Sequence, residues 1–489
     1  HQFDDYGQSF VTDGAGYQGI TYGVPGAMYC TYAGGRRLLD SVSPGSYPKF
    51  CGLEIIQSEQ WPQDWQGSAI TCDFRAHRIV RFSISENEAG YAAQEAGDLV
   101  RSLDPTFRPI DVKVGPDGAL YVADWSNPII QHGEVDFRDS RRDKVTGRIW
   151  RISYKNHPLL PRPGLVGMSD GQLMGELKSP NAYNRKQARR ILTERGDAIH
   201  GSLTDWTEQH DDEQDRLQAL WMHQSLDQVN MPLLEELLQA DDGRVRAAAV
   251  RVLRFWMKGD SNAEVWLAKL VRDKHPRVRL EALRALSHSR TGSAAALALS
   301  VLQHPMDRFL DYGLWLTIND LVDPWIQSIQ NGTWDPIGKE AELEFGLSSI
   351  EPDKASKVLE PLIAARTGDE LMEGPWTSLI AKAGTVSQLN RLIEIVQDDA
   401  RDETAVLKCL SALNDASRLR RLKPTGQQAR IARLFNHSNQ EVQIAALDLV
   451  REWKFAGALN ALMATAKNDG AQEQVRGRAV LALGAIGGD

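Results

Sequence analysis

A repeated helical pattern in the C-terminal two thirds of the chain limits the possible folds most strongly. In its clearest form, the pattern has an apolar residue followed by Arg, then a small Ala and a second apolar residue at the fourth and eighth positions after the first. These positions lie on one side of a helix. Adjacent copies begin 30 to 33 residues apart, which is the period of a helix pair. The clear copies begin at Val245, Val278 and Val475, and weaker copies begin at Asn184, Asp215 and Val442.

This period predicts a HEAT-like α-solenoid over residues 171–489. A single helix pair can bury its apolar face only against its neighbours, so several pairs have to stack. The Ala of each copy lets paired helices approach closely, and it should therefore be buried, whereas Arg251 is expected to be exposed. Between 309 and 426 the pattern degenerates, and irregular repeats are expected there. Burial is predicted for Ala249, Ala282 and Ala479.

One arginine recurs in each of several repeats, and two interpretations of it are open. The arginines could form a ladder that binds an anion. They could equally pair with the many acidic residues of neighbouring repeats, which is the preferred interpretation. The arginines concerned are Arg185, Arg216, Arg246, Arg279 and Arg476.

The N-terminal part, residues 1–154, is predicted to be all-β. Short β-branched runs alternate with turn residues there, and the clearest hairpin, 111–124, turns at Pro116-Asp117-Gly118. Repeated small sheets of this kind are typical of propeller blades, and the strands suffice for two or three of them. The predicted fold class is therefore mixed, with a partial β-propeller followed by a HEAT-like α-solenoid. Residues 155–170, which contain three prolines, are predicted to be a linker.

Composition and motifs exclude several classes of function. The net charge is −9, and the basic residues are scattered among acidic ones. The sequence therefore has no basic patch of the kind that binds nucleic acids. No apolar stretch is long enough to span a bilayer. The sequence has no P-loop, Rossmann glycine pattern, nucleophile elbow or zinc-protease motif. Its four cysteines do not have the spacing of zinc or haem sites. Two interpretations of Cys30, Cys51 and Cys72 are possible, either one disulfide among them or buried free thiols.

Charged residues at the ends of predicted strands form the candidate binding site. Arg75 follows the strand that ends at Cys72, Arg108 precedes the strand that begins at Asp111, and Asp124 ends the hairpin. If they converge, they would form an anion-binding pocket, since guanidinium groups suit carboxylates. Alternatively, Asp124 caps a turn and the arginines are ordinary surface charges. Spacing alone favours this second interpretation.

Four segments carry a resemblance to a known family. They are Cys51-Gly-Leu-Glu-Ile-Ile56, Cys72-Asp-Phe-Arg-Ala-His-Arg-Ile-Val-Arg-Phe82, 107–125 and Gly147-Arg-Ile-Trp-Arg-Ile152. The chain resembles the membrane-bound dehydrogenase-like proteins of planctomycetes and verrucomicrobia. Those proteins combine a propeller related to soluble glucose and sorbosone dehydrogenases, a HEAT array and a C-terminal c-type cytochrome.

The resemblance implies part of an exported, periplasmic quinoprotein-type sugar or aldehyde dehydrogenase that passes electrons to a c-type cytochrome. It implies that Arg75, Arg108 and Asp124 line a site for pyrroloquinoline quinone, PQQ, used together with calcium. The family's catalytic base and calcium-binding blades would lie before His1, and its haem motif after Asp489, so turnover by this chain alone is not expected. The alternative is a non-enzymatic scaffold that presents propeller and HEAT surfaces to other proteins.

Overall fold

The structure is a computed structural model that describes residues 1–12, 19–29, 37–45, 50–131, 133–256, 262–398 and 401–487. Within these residues, ten β-strands precede twenty α-helices. The chain divides into two compact units. The first consists of His1–Arg290 with Gln303–Thr317, and the second consists of Thr291–Leu302 with the chain from Ile318 onward.

The strands form three antiparallel sheets, all in the first unit. The first sheet contains β1 (Gln2–Phe3), β2 (Ser9–Thr12) and β3 (Ile20–Tyr22). The second contains β4 (Cys51–Ile55), β5 (Ala69–Asp73), β6 (Arg78–Asn87) and β7 (Gly90–Arg101). The third contains β8 (Pro109–Val114), β9 (Leu120–Asp124) and β10 (Arg148–Ile152).

The predicted hairpin is present as β8 and β9. Val114 lies opposite Leu120, and the turn between them closes through a hydrogen bond from Gly115 N to Ala119 O of 2.8 Å. Gly118 has a φ of +78°, a backbone conformation that favours glycine. The alternate residues Val112 and Val122 of this hairpin are fully buried. They share one hydrophobic core with residues of the second sheet such as Ile70.

The prediction of a partial β-propeller is wrong. The described strands form separate sheets of three, four and three strands, and the second and third sheets enclose a common core instead of following one another as blades. The β6–β7 hairpin is also longer than a blade needs, and it reaches helix α8, whose bounds are given below. The sequence pattern of short strands and tight turns predicts only which neighbouring strands pair. The burial of the sheet faces decides how the sheets are arranged, and here helices take part in that burial.

The helices of the first unit follow the strands directly. They are α1 (Asp170–Glu176), α2 (Ala182–Arg195), α3 (His200–Glu208), α4 (Glu213–Ser225), α5 (Met231–Leu237), α6 (Gly243–Trp256), α7 (Asn262–Leu270), α8 (Pro276–Leu286) and, as far as Thr317, α10 (Arg308–Asp320). Between β10 and α1, the residues of the predicted linker contain only a short 3-10 turn, Leu165–Gly167.

The described residues of the second unit form helices and the loops that join them. Its helices are α9 (Gly292–Leu299), α11 (Val322–Gln330), α12 (Glu340–Ser349), α13 (Pro352–Ala364), α14 (Gly368–Met372), α15 (Trp376–Ala383), α16 (Val386–Val396), α17 (Glu403–Arg420), α18 (Gln440–Trp453), α19 (Leu459–Ala466) and α20 (Glu473–Gly487). None of the described helices is both long enough and apolar enough to cross a bilayer.

The predicted repeat register is confirmed. Ala249, Ala282 and Ala479 are fully buried. The second helices of successive pairs pack on one another, as α6 packs on α8 and α18 packs on α20. The predicted exposure of Arg251 is wrong, because its side chain is only 19% exposed. The reason is a contact with the β-sheet part of the chain, which the repeat pattern cannot reveal.

The recurring arginines have a shared structural role. Arg246 donates to Ala240 O at 2.6 Å, and Arg279 donates to Asp273 O at 2.8 Å, so each binds a carbonyl in the turn before its own helix. Arg246 also forms an ion pair of 2.7 Å with Asp273 of the next repeat. These contacts support the interpretation of pairing between repeats.

The cysteines in the strands lie close together. Cys51 is opposite Cys72 in the antiparallel register of β4 and β5. Cys72 is buried and carries a free thiol, and burial raises its pKa above the usual range. Cys30 lies outside the described residues, so a disulfide that includes it stays a prediction.

Candidate functional site

The structure brings the three predicted site residues to one end of the third sheet. Arg108 directly precedes β8, and its main-chain N–H donates to the carboxylate of Asp124 at the end of β9, with an N–O distance of 2.8 Å. Arg75 lies in the turn after β5 with an exposed side chain, and its carbonyl accepts from Arg108 Nη1 at 3.4 Å. The residues are neighbours, but the side chains of Arg108 and Asp124 are buried, whereas that of Arg75 is exposed.

Arg108 uses its guanidinium within the protein. Its Nε donates to Asn127 O at 2.9 Å, Nη1 to Phe74 O at 2.9 Å and Nη2 to Pro128 O at 3.2 Å. The residue is only 6% exposed, and burial lowers its pKa. The side chain therefore joins two loops at this end of the sheet.

Asp124 is likewise enclosed by donors. Its carboxylate accepts from Arg148 Nε at 2.7 Å and Trp150 Nε1 at 2.8 Å, and also from the main-chain N–H groups of Arg108 and Ser126. Burial alone would raise the pKa of Asp124, but the bond from Trp150 and the main-chain bonds outweigh burial and lower it. The charged carboxylate thus stabilises the junction of β8, β9 and β10.

This arrangement does not fit a quinone that carries three carboxylates. Such a ligand would need two accessible guanidinium groups, whereas that of Arg108 is occupied by main-chain carbonyls. In the part of the chain that the structure describes, no group of three or more histidine, cysteine or acidic side chains could hold a metal ion. A role of Arg75, Arg108 and Asp124 as cofactor ligands stays a prediction, and no chemical step is assigned to them.

A second set of residues forms a more extensive site, which we call the contact face. It comprises the positions one before, three after and six after the first apolar residue of a repeat, which share one side of the second helix. In the first unit these positions touch the β-sheet part. On α6 and α8 they are Arg244, Ala248, Arg251, Arg277, Glu281 and Arg284.

An ion pair between adjacent helices lies at the centre of the contact face. Arg251 of α6 binds Glu281 of α8, which is only 1% exposed. Arg251 also donates to Gly7 O at 2.5 Å and to Gln8 Oε1 at 3.2 Å, in the segment between β1 and β2. Burial alone would lower the pKa of Arg251, but the charge of Glu281 outweighs burial and raises it. The pair is therefore covered by the turn between β1 and β2.

The remaining arginines of this face bind the β-sheet part in the same manner. Arg277 donates to Glu86 Oε1 at 2.6 Å and to Gly90 O at 2.9 Å, and its guanidinium carbon lies 4.1 Å from the ring centroid of Tyr91. Arg284 donates to Pro25 O at 2.9 Å. The contact face of α6 and α8 thus binds turns and a hairpin end of the β-sheet part through carbonyl oxygens, a carboxylate and an aromatic ring.

The same positions in the last two repeats carry a different pattern of charge. On α18 and α20 they are Glu441, Ala445, Asp448, Gln474, Arg478 and Leu481. Asp448 Oδ1 accepts from Arg478 Nη1 at 3.2 Å. This pair joins positions 30 residues apart, like the pair of Arg251 and Glu281, but with the charges exchanged.

The second contact face is open where the first is covered. The side chains of Asp448 and Arg478 are 30% and 42% exposed, and Leu481 is 55% exposed. Glu441 is exposed as well. The recurring ion pair shows that these helices present equivalent sides. A repeat alignment extended beyond the apolar, Arg and Ala positions would have found this face from the sequence.

Two family models match parts of this chain. A domain of unknown function (DUF7133) matches residues 24–156, and HEAT repeats match residues 230–310. The helical part therefore contains HEAT repeats, as predicted. Each match covers less than half of the chain. No curated protein matches the chain.

Several solved structures are similar to part of this chain. An engineered protein is 18% identical, with a TM-score of 0.27, over 65% of this chain and 99% of that protein. Kap121p is 15% identical, with a TM-score of 0.39, over 65% of this chain and 41% of Kap121p. A structure of Kap95p with RanGDP is 11% identical, with a TM-score of 0.30, over 68% of this chain and 52% of that chain. Likeness at this level carries no argument about function.

Proposed function

We propose that this protein is a protein-binding scaffold, and that the contact face of α18 and α20 binds a loop segment of a partner protein. One observation carries the proposal. The ion pair of Asp448 and Arg478 repeats the position of the covered pair of Arg251 and Glu281, yet it is exposed. The first face shows what this side of the repeat binds when it is occupied, namely the turn between β1 and β2 and the end of the β6–β7 hairpin.

The charges of the second face define the chemistry of the partner. Where α6 has Arg244 and Arg251, α18 has Glu441 and Asp448. The first face binds carbonyl oxygens and the carboxylate of Glu86, whereas two carboxylates attract cationic side chains. The exposed Leu481 of α20 adds an apolar contact. The proposed partner segment therefore combines Lys or Arg with an apolar side chain.

Selection from a random peptide library on the full chain tests the proposal. The recovered peptides should be enriched in Lys or Arg next to an apolar residue. Fluorescence anisotropy with synthetic copies should show binding that weakens at least about tenfold in the double variant Glu441→Lys/Asp448→Lys, since like charges repel across an interface.

A matched control is available on α13 of the same unit. Asp353 and Glu360 are exposed acidic residues with the same spacing of seven residues as Glu441 and Asp448. The variant Asp353→Lys/Glu360→Lys changes the net charge equally and should bind the peptides as the unmodified chain does. Equal weakening of peptide binding in both double variants would show that net charge, and not this face, causes the effect. A selection that enriches no peptides would refute the proposed site.

The scaffold interpretation is better supported than that of a dehydrogenase. It needs neither PQQ nor a propeller, and it rests on HEAT repeats that a family model recognises. A c-type cytochrome as the partner, a sugar as the substrate and periplasmic export have no support in the described residues and stay predictions.

A further inference from the structure

A cavity of about 350 Å³ lies in the first unit between the N-terminal segment and helices α2 and α4. Its lining includes Arg185 and Arg189, which are one turn apart on α2, and residues of α4. The site is separate from the contact face of α18 and α20 and from the sheet end that holds Arg108. Its lining includes Phe3, Asp5, Arg185, Arg189, Gln218 and Trp221.

Arg189 is the residue that makes this cavity chemically unusual. Its Nη2 donates to Gln218 Oε1, and its guanidinium carbon lies 5.5 Å from the ring centroid of Trp221. Among the described residues, its Nε is buried without an acceptor, and no carboxylate lies within ion-pair distance. Burial, together with the charge of Arg185, lowers the pKa of Arg189 to about 10. A buried cation normally has an acidic partner, since the cost of desolvation is otherwise not offset.

The neighbouring cations already have acidic partners. Arg185 donates to Asp5 Oδ1 at 2.6 Å, and Lys186 Nζ lies 3.9 Å from Glu54 Oε1. The positive charge of Arg189 is therefore the one that a bound anion would compensate. A planar guanidinium offers paired donors that match the two oxygens of a carboxylate.

The rest of the lining is suited to an apolar body. Trp221 presents its ring to the N-terminal segment, with Gly7 packed against it, and Phe3 borders the same space. We propose that this cavity binds a small organic acid, with Arg189 holding its carboxylate and with Trp221 and Phe3 contacting its apolar part. The chain thus has a ligand site that is independent of partner binding.

Thermal unfolding of the full chain with benzoate as the probe tests this site. Sodium benzoate at about 10 mM should raise the melting temperature by at least about 2 °C, because a ligand of the folded state stabilises it by mass action. Benzyl alcohol has the same ring without a charge, and sodium phosphate is an anion without the ring. Each of them should give less than half of the benzoate shift.

Two variants locate the effect at Arg189. Arg189→Gln removes the charge, and Gln218→Glu supplies an internal carboxylate where Gln218 now accepts from Arg189. Either change should abolish the benzoate shift, and Gln218→Glu keeps the proposal testable if Arg189→Gln does not fold. The control is Arg190→Gln, because Arg190 is the adjacent arginine with a side chain that is 62% exposed. It should keep the full shift.

Saturation-transfer NMR with benzoate provides an independent measurement. Signals from the benzoate ring should appear with the unmodified chain and with Arg190→Gln, and they should be absent with Gln218→Glu. Equal shifts with benzoate and benzyl alcohol, a larger shift with phosphate, or benzoate binding that survives in Gln218→Glu would each overturn the proposal.

Discussion

The two contact faces share one register but have different surroundings. On α6 and α8 the face carries four arginines and one glutamate, and it is covered by the N-terminal segment and the β6–β7 hairpin. On α18 and α20 the face carries two acids, one arginine and a leucine, and it is exposed. The comparison shows that the repeat determines which side of the helices is presented, whereas the residues at three variable positions determine its charge.

The largest expected difference concerns the two ion pairs. Glu281→Ala leaves the guanidinium of Arg251 enclosed without its partner, and it should lower the free energy of unfolding by about 3 to 5 kcal/mol. Asp448→Ala breaks an exposed pair and should cost less than about 1 kcal/mol. Urea unfolding followed by circular dichroism measures both changes. Equal losses at the two sites would contradict the difference in burial.

The second difference concerns the positions occupied by Arg277 and Gln474. Arg277→Leu removes the hydrogen bonds to Glu86 and Gly90 and the contact with Tyr91, so we expect a loss of about 2 to 3 kcal/mol in the free energy of unfolding. Gln474→Leu changes an exposed residue and should stay within about 0.5 kcal/mol of the unmodified chain. Urea unfolding is again the measurement, and a neutral Arg277→Leu would show that α8 does not hold the hairpin.

The packing between paired helices should not differ between the two regions. Ala249→Leu, Ala282→Leu and Ala479→Leu each insert a larger side chain at a fully buried position, and each should cost about 1 to 3 kcal/mol. The control is Glu452→Leu at an exposed position of α18, with an expected change within about 0.5 kcal/mol. If Ala479→Leu were neutral in thermal unfolding, the repeat register of α20 would be wrong.

The smallest expected effect concerns pH. Burial, with the charge of Arg277, lowers the pKa of His275, whose ring packs against Gly243. The unfolded chain therefore binds this proton more tightly than the folded chain does. The contribution of neutral His275 to stability is complete above about pH 6.5 and decreases as the pH falls below that value.

Exchanging the residues at the position of His275 between α8 and α18 tests this pH dependence. α18 has Asn439 at the position of His275, and the Asn439 side chain accepts from Glu441 N at 2.7 Å as a helix cap. His275→Asn should reduce the loss of stability between about pH 7 and pH 5.5. Asn439→His should change the pH dependence of stability little, since a charge at this partly exposed position is readily solvated. Urea midpoints across this pH range are compared. An unchanged slope in His275→Asn would assign the pH dependence to other groups.

The sequence predicts the elements of the candidate sites better than their contacts. The period of the repeats identifies the helix faces, and burial of Ala249, Ala282 and Ala479 follows from it. The strand ends that carry Arg108 and Asp124 were also predicted, and the two residues do lie together. The sequence does not reveal that the Arg108 guanidinium donates to main-chain carbonyls. Those carbonyls belong to loops such as 127–128, which have no periodic sequence pattern.

The amino-acid sequence by itself determined the helical repeats, the β8–β9 hairpin and the change from strands to helices. All of these depend on residues near one another in the chain, where periodicity and turn chemistry act directly. Only the tertiary structure decided that the small sheets do not form a propeller and that Arg251 is covered. It also decided that Arg189 borders a cavity. These outcomes depend on which distant surfaces bury one another, and local sequence patterns carry no information about that choice.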